Sequence, residues 1–396
     1  MPYLCHPGAV FVNTLKVLFG RFTRLLAITT AAALMLPSAS AQQPDPAADI
    51  IELAIVGPMV GTSFSIGMQF KAGVHAALTS LDEGLLLGRP VRVSEHNDSC
   101  TRIIAERVAQ DLVQNPPHVV IGHSCSATTV VAAPVYARHG VLQITPSSTA
   151  PLVTEMGIDS IFRMIGRDDL QGEMAAEKIA AQYAGRRVGI LRYPNDYSIG
   201  LTDNAIAGLA GLGIEPAIVL EMSASASSYL DDIMALIEHD IDVLYLTGGA
   251  LDSGVFVRQA RQMDVPFDII GSDTLVSPIF AETAGAASNG VAFTFLPESA
   301  ANLDSDRMQA ANAAIRAQGM EPDGYTLLAY AAIEIWIEGV RRADSIETSA
   351  VAAAIREAPL DTLIGRISFN GKGDIQTEYP TFAWYVWQDG QRVQID

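Results

Sequence analysis

The sequence predicts an α/β protein built of two doubly wound, parallel-sheet lobes. Three observations carry this. Short apolar runs alternate with segments of helical apolar spacing, one helix per strand, as in parallel strands joined by crossovers. The alternation runs along the chain in two successive stretches. At 396 residues, 49% apolar and only 17% charged, the chain is long enough for two domains and can bury a sizeable core.

The elements follow in order. Ile50–Val56 (IIELAIV) reads as a buried strand broken by Gly57-Pro58, and Gly67–Leu81 has helical spacing. Val91–Glu95 is a strand, Arg102–Val113 a helix, Val119–Ile121 a strand, Ser126–Arg138 a helix and Val141–Ile144 a strand. The second stretch gives helix Gln171–Ala184, strand Val188–Leu191, helix Thr202–Leu212 and strand Ile218–Leu220. It continues with helix Tyr229–Glu238, strand Val243–Leu246, helix Val255–Met263 and strand Phe267–Ile270.

Composition removes several classes. Lys+Arg 25 against Asp+Glu 44 gives a net charge of −19, which repels phosphate backbones, so nucleic acid is not an expected partner. Three cysteines build neither a disulfide scaffold nor an iron–sulfur protein.

Residues 1–41 read as an export signal. Lys16, Arg21 and Arg24 precede the apolar run Leu25–Leu36, and Ala39-Ser40-Ala41 is a small-x-small site with cleavage expected before Gln42. The run is about 12 residues, short of the ~20 that span a bilayer; the alternative is an uncleaved membrane anchor. Cleavage removes three cations and no acid, taking the charge from −19 to −22. The mature protein is expected to be soluble and exported. Cys5 leaves with the signal, so Cys100 and Cys125 remain, an even pair in an oxidising compartment. A bridge between them closes a loop of about 25 residues, worth roughly 3 kcal/mol in the loop-entropy model. The alternative is two buried free thiols.

In doubly wound sheets ligands sit beyond the carboxyl ends of the strands, where helix N-termini offer free N–H groups to anions. Gly122-His123-Ser124-Cys125-Ser126 and Thr145-Pro146-Ser147-Ser148-Thr149 are such loops. Both are rich in hydroxyl and backbone donors and contain no Lys or Arg, which suits a carboxylate better than a phosphate. Plain capping by Ser126, Ser147 and Thr149 is the alternative. A third loop, Gly271-Ser272-Asp273, brings an acid able to hold an ammonium; a turn or N-cap role competes. Tyr197 and Tyr325 are candidate aromatic walls, with ordinary packing as the competing role.

Several motifs together resemble the branched-chain amino-acid-binding (Leu/Ile/Val) type of periplasmic binding protein of ABC importers. They are Ile55-Val56-Gly57-Pro58-Met59, the two loops above, Gly166-Arg167-Asp168-Asp169 with Gln171-Gly172, Gly271-Ser272-Asp273, Glu321-Pro322-Asp323-Gly324-Tyr325, Phe369-Asn370-Gly371-Lys372-Gly373-Asp374 and Trp384-Tyr385-Val386-Trp387. The resemblance runs from about Ile51 to the C-terminus. It implies a type I fold with a three-strand hinge, lobe 1 at 42–166 plus 297–366 and lobe 2 at 167–296 plus 367–396. It implies that the Ser126 N–H and the Thr149 hydroxyl and N–H hold an α-carboxylate. The Ser147 carbonyl and Asp273 would hold the ammonium, Tyr197 would close over the ligand, and Cys100 and Cys125 would match a family disulfide. It further implies a membrane permease as partner, a periplasmic location and a monomer. Ile66 and Gly249-Ala250 stand where the family often has aromatics, and Ser124 where leucine binders are often apolar. The side-chain pocket is therefore less aromatic and more polar. Short amides, urea-like ligands and organic acids are the alternative ligands.

Two other functions compete. Gly122-His123-Ser124-Cys125-Ser126 looks like a hydrolase nucleophile elbow with its last glycine replaced, which would make Ser124 a nucleophile. That motif needs an acid and then a histidine downstream, and only His139 and His239 follow. The third reading is a sensory ligand-binding module of the same fold. No metal constellation, P-loop or dinucleotide fingerprint is present, so no cofactor is expected; Gly208–Gly213 (GLAGLG) lies in and after a helix rather than at a strand-to-helix turn.

Overall fold

β1 (Ile51–Gly57) is almost wholly apolar because it is covered on both sheet faces and paired on both edges, parallel to β3 and β4. The computed structural model describes residues 50–223, 227–265, 267–297, 306–322 and 324–395; the expected export segment lies outside them. The first sheet runs in the order β2-β3-β1-β4-β5-β6, with β2 Leu85–Leu86, β3 Arg89–Asn97, β4 Val119–Ile121, β5 Leu142–Thr145 and β6 Ile161–Arg163. Its interleaved helices are α1 (Phe64–Leu78), α2 (Arg102–Leu112), α3 (Ser126–Arg138) and the short α4 (Leu152–Glu155).

The chain then crosses to a second sheet through residues 164–167. This lobe holds α5 (Asp168–Gln182), β7 (Val188–Arg192), α6 (Asp196–Gly211), β8 (Ile218–Glu221), α7 (Leu230–Glu238), β9 (Val243–Thr247), α8 (Ala250–Gln262), β10 (Asp268–Gly271), α9 (Pro278–Ala284) and β11 (Ala292–Phe295). The helix expected from Thr202 begins at Asp196 instead. Asn195 caps it, its side chain accepting from the Ser198 N–H at 2.8 Å, so the polar residues that resemble a loop are the first turn.

A second crossing leads to α10 (Asp306–Ala317), α11 (Tyr325–Ala343) and α12 (Thr348–Glu357). α11 returns to the first lobe and lies on α1; a Cβ at Gly73 would stand 2.3 Å from the Thr326 carbonyl oxygen, so only glycine permits that approach. β12 (Leu360–Thr362), β13 (Gly365–Phe369) and β14 (Ile375–Thr377) form a small antiparallel sheet. The third crossing, 378–382, passes beside the first, where Gly166 has no room for a Cβ against the Phe382 ring.

Both sheets depart from the all-parallel expectation, the first only where β2 runs antiparallel to β3 and the second at its β11 edge. β15 (Ala383–Gln388) runs antiparallel to β11 and β16 (Gln391–Ile395) antiparallel to β15, giving the order β16-β15-β11-β10-β9-β7-β8. Asp389-Gly390, both at positive φ, makes the tight turn between them. That dipeptide is a local hairpin signal independent of the βα rhythm.

Candidate functional site

A cavity of about 510 Å³ lies where the carboxyl ends of the two sheets face one another. Its wall is made by the loops after β1 (Val60 to Ile66), β3 (Ser99 to Thr101), β4 (Ser124 to Ala127), β5 (Ser147), β7 (Tyr193 to Tyr197), β9 (Gly248 to Asp252) and β10 (Asp273 to Ser277), with Tyr325 opening α11. These are the loops that a doubly wound sheet offers to a ligand.

On the first lobe, Gly122 fixes the approach. A Cβ there would meet the Val56 carbonyl oxygen at 2.1 Å, so the loop after β4 presses directly on β1. Behind it His123 and Asp98 are fully buried and bonded Nδ1 to Oδ2 at 2.7 Å, while His123 Nε2 meets the Tyr136 hydroxyl at 2.9 Å. Asp98 Oδ1 accepts from the Cys100 N–H at 2.9 Å. Cys100 and Cys125 are paired with Cα atoms 5.5 Å apart, within the span of a disulfide, and both line the cavity. Ser126 opens α3, so its N–H is among the donors that a helix leaves unsatisfied, and it faces the cavity. The Ser147 hydroxyl donates to the Ser124 carbonyl at 2.8 Å and holds the two loops together.

Thr149 differs from the expected arrangement. It is 0% exposed and is not among the wall residues; its carbonyl accepts from Arg163 Nη1 at 2.9 Å and from the Asp168 N–H at 3.0 Å, which fixes the turn behind the wall.

Asp273 is the centre of the second face. It is 1% exposed yet on the wall, and it accepts from the Tyr197 hydroxyl at 2.5 Å, the Tyr325 hydroxyl at 2.6 Å and Gln171 Nε2 at 3.1 Å. Tyr325 comes from the helix packed on the first lobe, and its N–H donates to Gln69 Oε1 at 3.0 Å. Burial pushes the Asp273 carboxyl above the usual range against the pull of these donors. At the rim, Arg102 of α2 pairs with Asp196 of α6, one residue from each lobe. Of the expected residues, Ser126, Ser147, Tyr197, Asp273, Tyr325 and the two cysteines line the one cavity. Sequence reasoning did not assign Gln171, though the Gln171-Gly172 motif marked the position. It also passed over Asp252, which has no motif around it.

Asp168 lies fully buried near Asp273, and its carboxyl is held well above 3.8, first by burial and then by the charge of Asp273. A group whose native pKa is raised binds its proton more tightly when folded, so stability falls as pH rises from 3.8 through the native value. Asp168→Asn removes that loss. The variant is expected to melt above the wild type at pH 8, with the gap narrowing toward pH 4. Thermal melts across that range check it, and a gap that ignores pH refutes the assignment.

The sulfurs of Cys100 and Cys125, each at 3.9 Å, are the hydrogen-bonding partners of the Ser124 hydroxyl among the described residues. His139 and His239 each bond through Nδ1 to a carbonyl of their own helix, at 2.9 and 2.8 Å. The strand-to-helix position that the elbow reading required is present; among the described residues no imidazole hydrogen-bonds the Ser124 hydroxyl, and the neighbouring His123 is engaged by Asp98 and Tyr136.

A family model described as periplasmic binding protein matches residues 50–391. The chain belongs to the periplasmic binding protein family. This binding protein is 29% identical over 352 residues to a leucine-, isoleucine-, valine-, threonine- and alanine-binding protein of Pseudomonas aeruginosa, covering 88% of this chain and 93% of that one. Its fold is similar to that of a leucine-binding protein from Thermotoga maritima (TM-score 0.79, 22% identity, 87% and 98% covered). It is similar also to an ABC-transporter solute-binding protein from R. palustris solved with benzoate (TM-score 0.78, 16% identity, 87% and 95% covered). The architecture is thus the type I fold expected from the sequence. Among its described residues, no helix is long and apolar enough to cross a membrane.

Proposed function

We propose that this binding protein is the exported solute receptor of an ABC importer and that it takes a small amino acid. The observation that carries the proposal is one cavity with the α3 N-terminus on one wall and Asp273 on the other. The N–H of Ser126 receives the α-carboxylate, and Asp273 with the Ser147 carbonyl receives the ammonium. Tyr197 covers the ligand, Tyr325 walls it, and Thr149 acts from behind as part of the turn held by Arg163. An organic acid lacking an ammonium would leave Asp273 buried with no cation, a penalty that disfavours that class here.

Lobe 1 in this proposal is 42–166 plus 297–366 and lobe 2 is 167–296 plus 367–396, hinged at the three crossings. Closure brings Arg102 to Asp196 and Tyr325 to Asp273, and the closed shape is what a membrane permease reads. The chain works as a monomer without catalytic chemistry, in the periplasm, after cleavage of the signal. There the Cys100–Cys125 pair is oxidised to a disulfide. The kinship to the P. aeruginosa amino-acid receptor supports this reading.

The test is a thermal-shift screen of the mature chain with pairs of amino acids and their des-amino acids. At least one amino acid is expected to raise the melting temperature with concentration, by about 2.7 kcal/mol of added stability at 100 times Kd, while its des-amino partner does not. Equal shifts for both partners, or none across the panel, would overturn the proposal.

A further inference from the structure

An ordinary amino acid brings one ammonium to this cavity, and the cavity presents more acid than that. Among the described residues its wall contains Asp273, Asp252 and Asp196 and no Lys, Arg or His. Asp196 has its partner in Arg102, and Asp273 is assigned to the α-ammonium. Asp252 is left over.

Asp252 sits in the first turn of α8, just after β9, and β9 lies parallel to and beside β10, which leads into the turn that carries Asp273. The two acids therefore project from neighbouring strand ends. Asp252 is 4% exposed, and its Oδ1 accepts from the Tyr229 hydroxyl at 2.6 Å, which orients the carboxyl group. No described residue donates to Oδ2; that oxygen is the nearest atom, at 3.7 Å, to where a Gly249 Cβ would stand. Glycine at 249 keeps this side of the acid uncovered.

A second observation points the same way. Ser277 lines the same cavity, is 1% exposed, and its hydroxyl has no hydrogen-bond partner among the described residues. The Thr274 hydroxyl, donating to the Gly248 carbonyl at 2.6 Å, ties the Ser277 loop to the Asp252 loop. A buried acid with one oxygen unused and a buried hydroxyl with no partner are costly next to an aliphatic side chain. Both are satisfied by a cationic donor.

Resting on the amino-acid reading of the cleft, we propose that the side chain bound here ends in a cation, an ammonium or guanidinium received by Asp252 and Ser277. The preferred ligand class is a basic amino acid rather than a branched-chain one.

Calorimetry of the mature protein with L-ornithine, L-lysine and L-arginine, against L-norleucine as a neutral chain of similar length, tests this. The best of the three is expected to bind at least about tenfold more tightly than norleucine. Asp252→Asn keeps the oxygen that Tyr229 uses and should erase the preference, weakening the basic ligand about tenfold or more and norleucine by less than about threefold. Norleucine binding as tightly as every basic ligand, or Asp252→Asn weakening both classes alike, overturns the inference and leaves the amino-acid reading standing. Binding of neither class overturns the inference, and the amino-acid reading is then decided by the thermal-shift panel. If the variant does not fold, the wild-type comparison decides alone.

Discussion

Asp273→Ala is expected to weaken amino-acid binding by about 2–5 kcal/mol, the largest functional effect of any single change in the cleft. The substitution leaves the ligand ammonium buried without its counter-charge. It also leaves the Tyr197 and Tyr325 hydroxyls and Gln171 Nε2 without the acceptor they share. Because Tyr325 reaches Asp273 from the other lobe, the closed form loses a contact as well as a charge. Asp273→Asn keeps the shape and part of the hydrogen bonding, so the difference between the two variants separates charge from geometry. The charge also dictates the pH response. Burial raises the Asp273 pKa, so wild-type affinity should fade on acidification at a pH above the 3.8 of an ordinary aspartate. Titration calorimetry reads both effects. Unchanged affinity of Asp273→Ala for every amino-acid ligand would mean that the ammonium sits elsewhere.

Arg163→Met should cost about 3–5 kcal/mol of folding stability, the amount lost when one partner of a buried ion pair is removed. Arg163 is fully buried at the end of β6 and pairs with Asp374. Its guanidinium also donates to Thr154 Oγ1 at 2.7 Å and to the carbonyls of Thr149 and Ala150 at 2.9 and 2.7 Å. One side chain thus holds the turn behind the cleft, α4 and the loop after β13. Burial pushes Asp374 up, but the charge of Arg163 and the hydrogen bonds from Thr154 and Arg163 keep its pKa below 3.8. A depressed acid contributes stability that is present above 3.8 and lost as pH falls through the native value. The deficit of Arg163→Met in urea unfolding should therefore be full at neutral pH and shrink below about pH 4. A midpoint equal to wild type at pH 7 would show that the pair carries no net stability.

These two residues differ in how they could be found from the chain. Asp273 follows an apolar run that any strand rule detects, and its place at a strand's carboxyl end marks it as a site candidate. Arg163 and Asp374 are 211 positions apart, and neither neighbourhood announces the other. The same holds for Asp252 and Tyr229: the acid looks like an ordinary first-turn residue of a helix.

By itself the sequence determined the alternation of strands and helices through Ile270, apart from β2, α4 and β6, and the loops that line the cavity. These are local matters: an apolar run, a helical period and a hydroxyl-rich turn are each contained within a dozen residues. It did not determine the last third. α11 is buried over most of its length, with charged residues only at Glu334, Glu338 and the last turn, and β12 to β16 are short strands whose partners run antiparallel. Nor did it set the charge states. Asp168 and Asp273 acquire raised pKa values because folding removes both from water, and the charge of Asp273 raises Asp168 further, a long-range effect that no local pattern encodes. Only the packing of the two lobes decided which polar groups end up sharing a buried cavity.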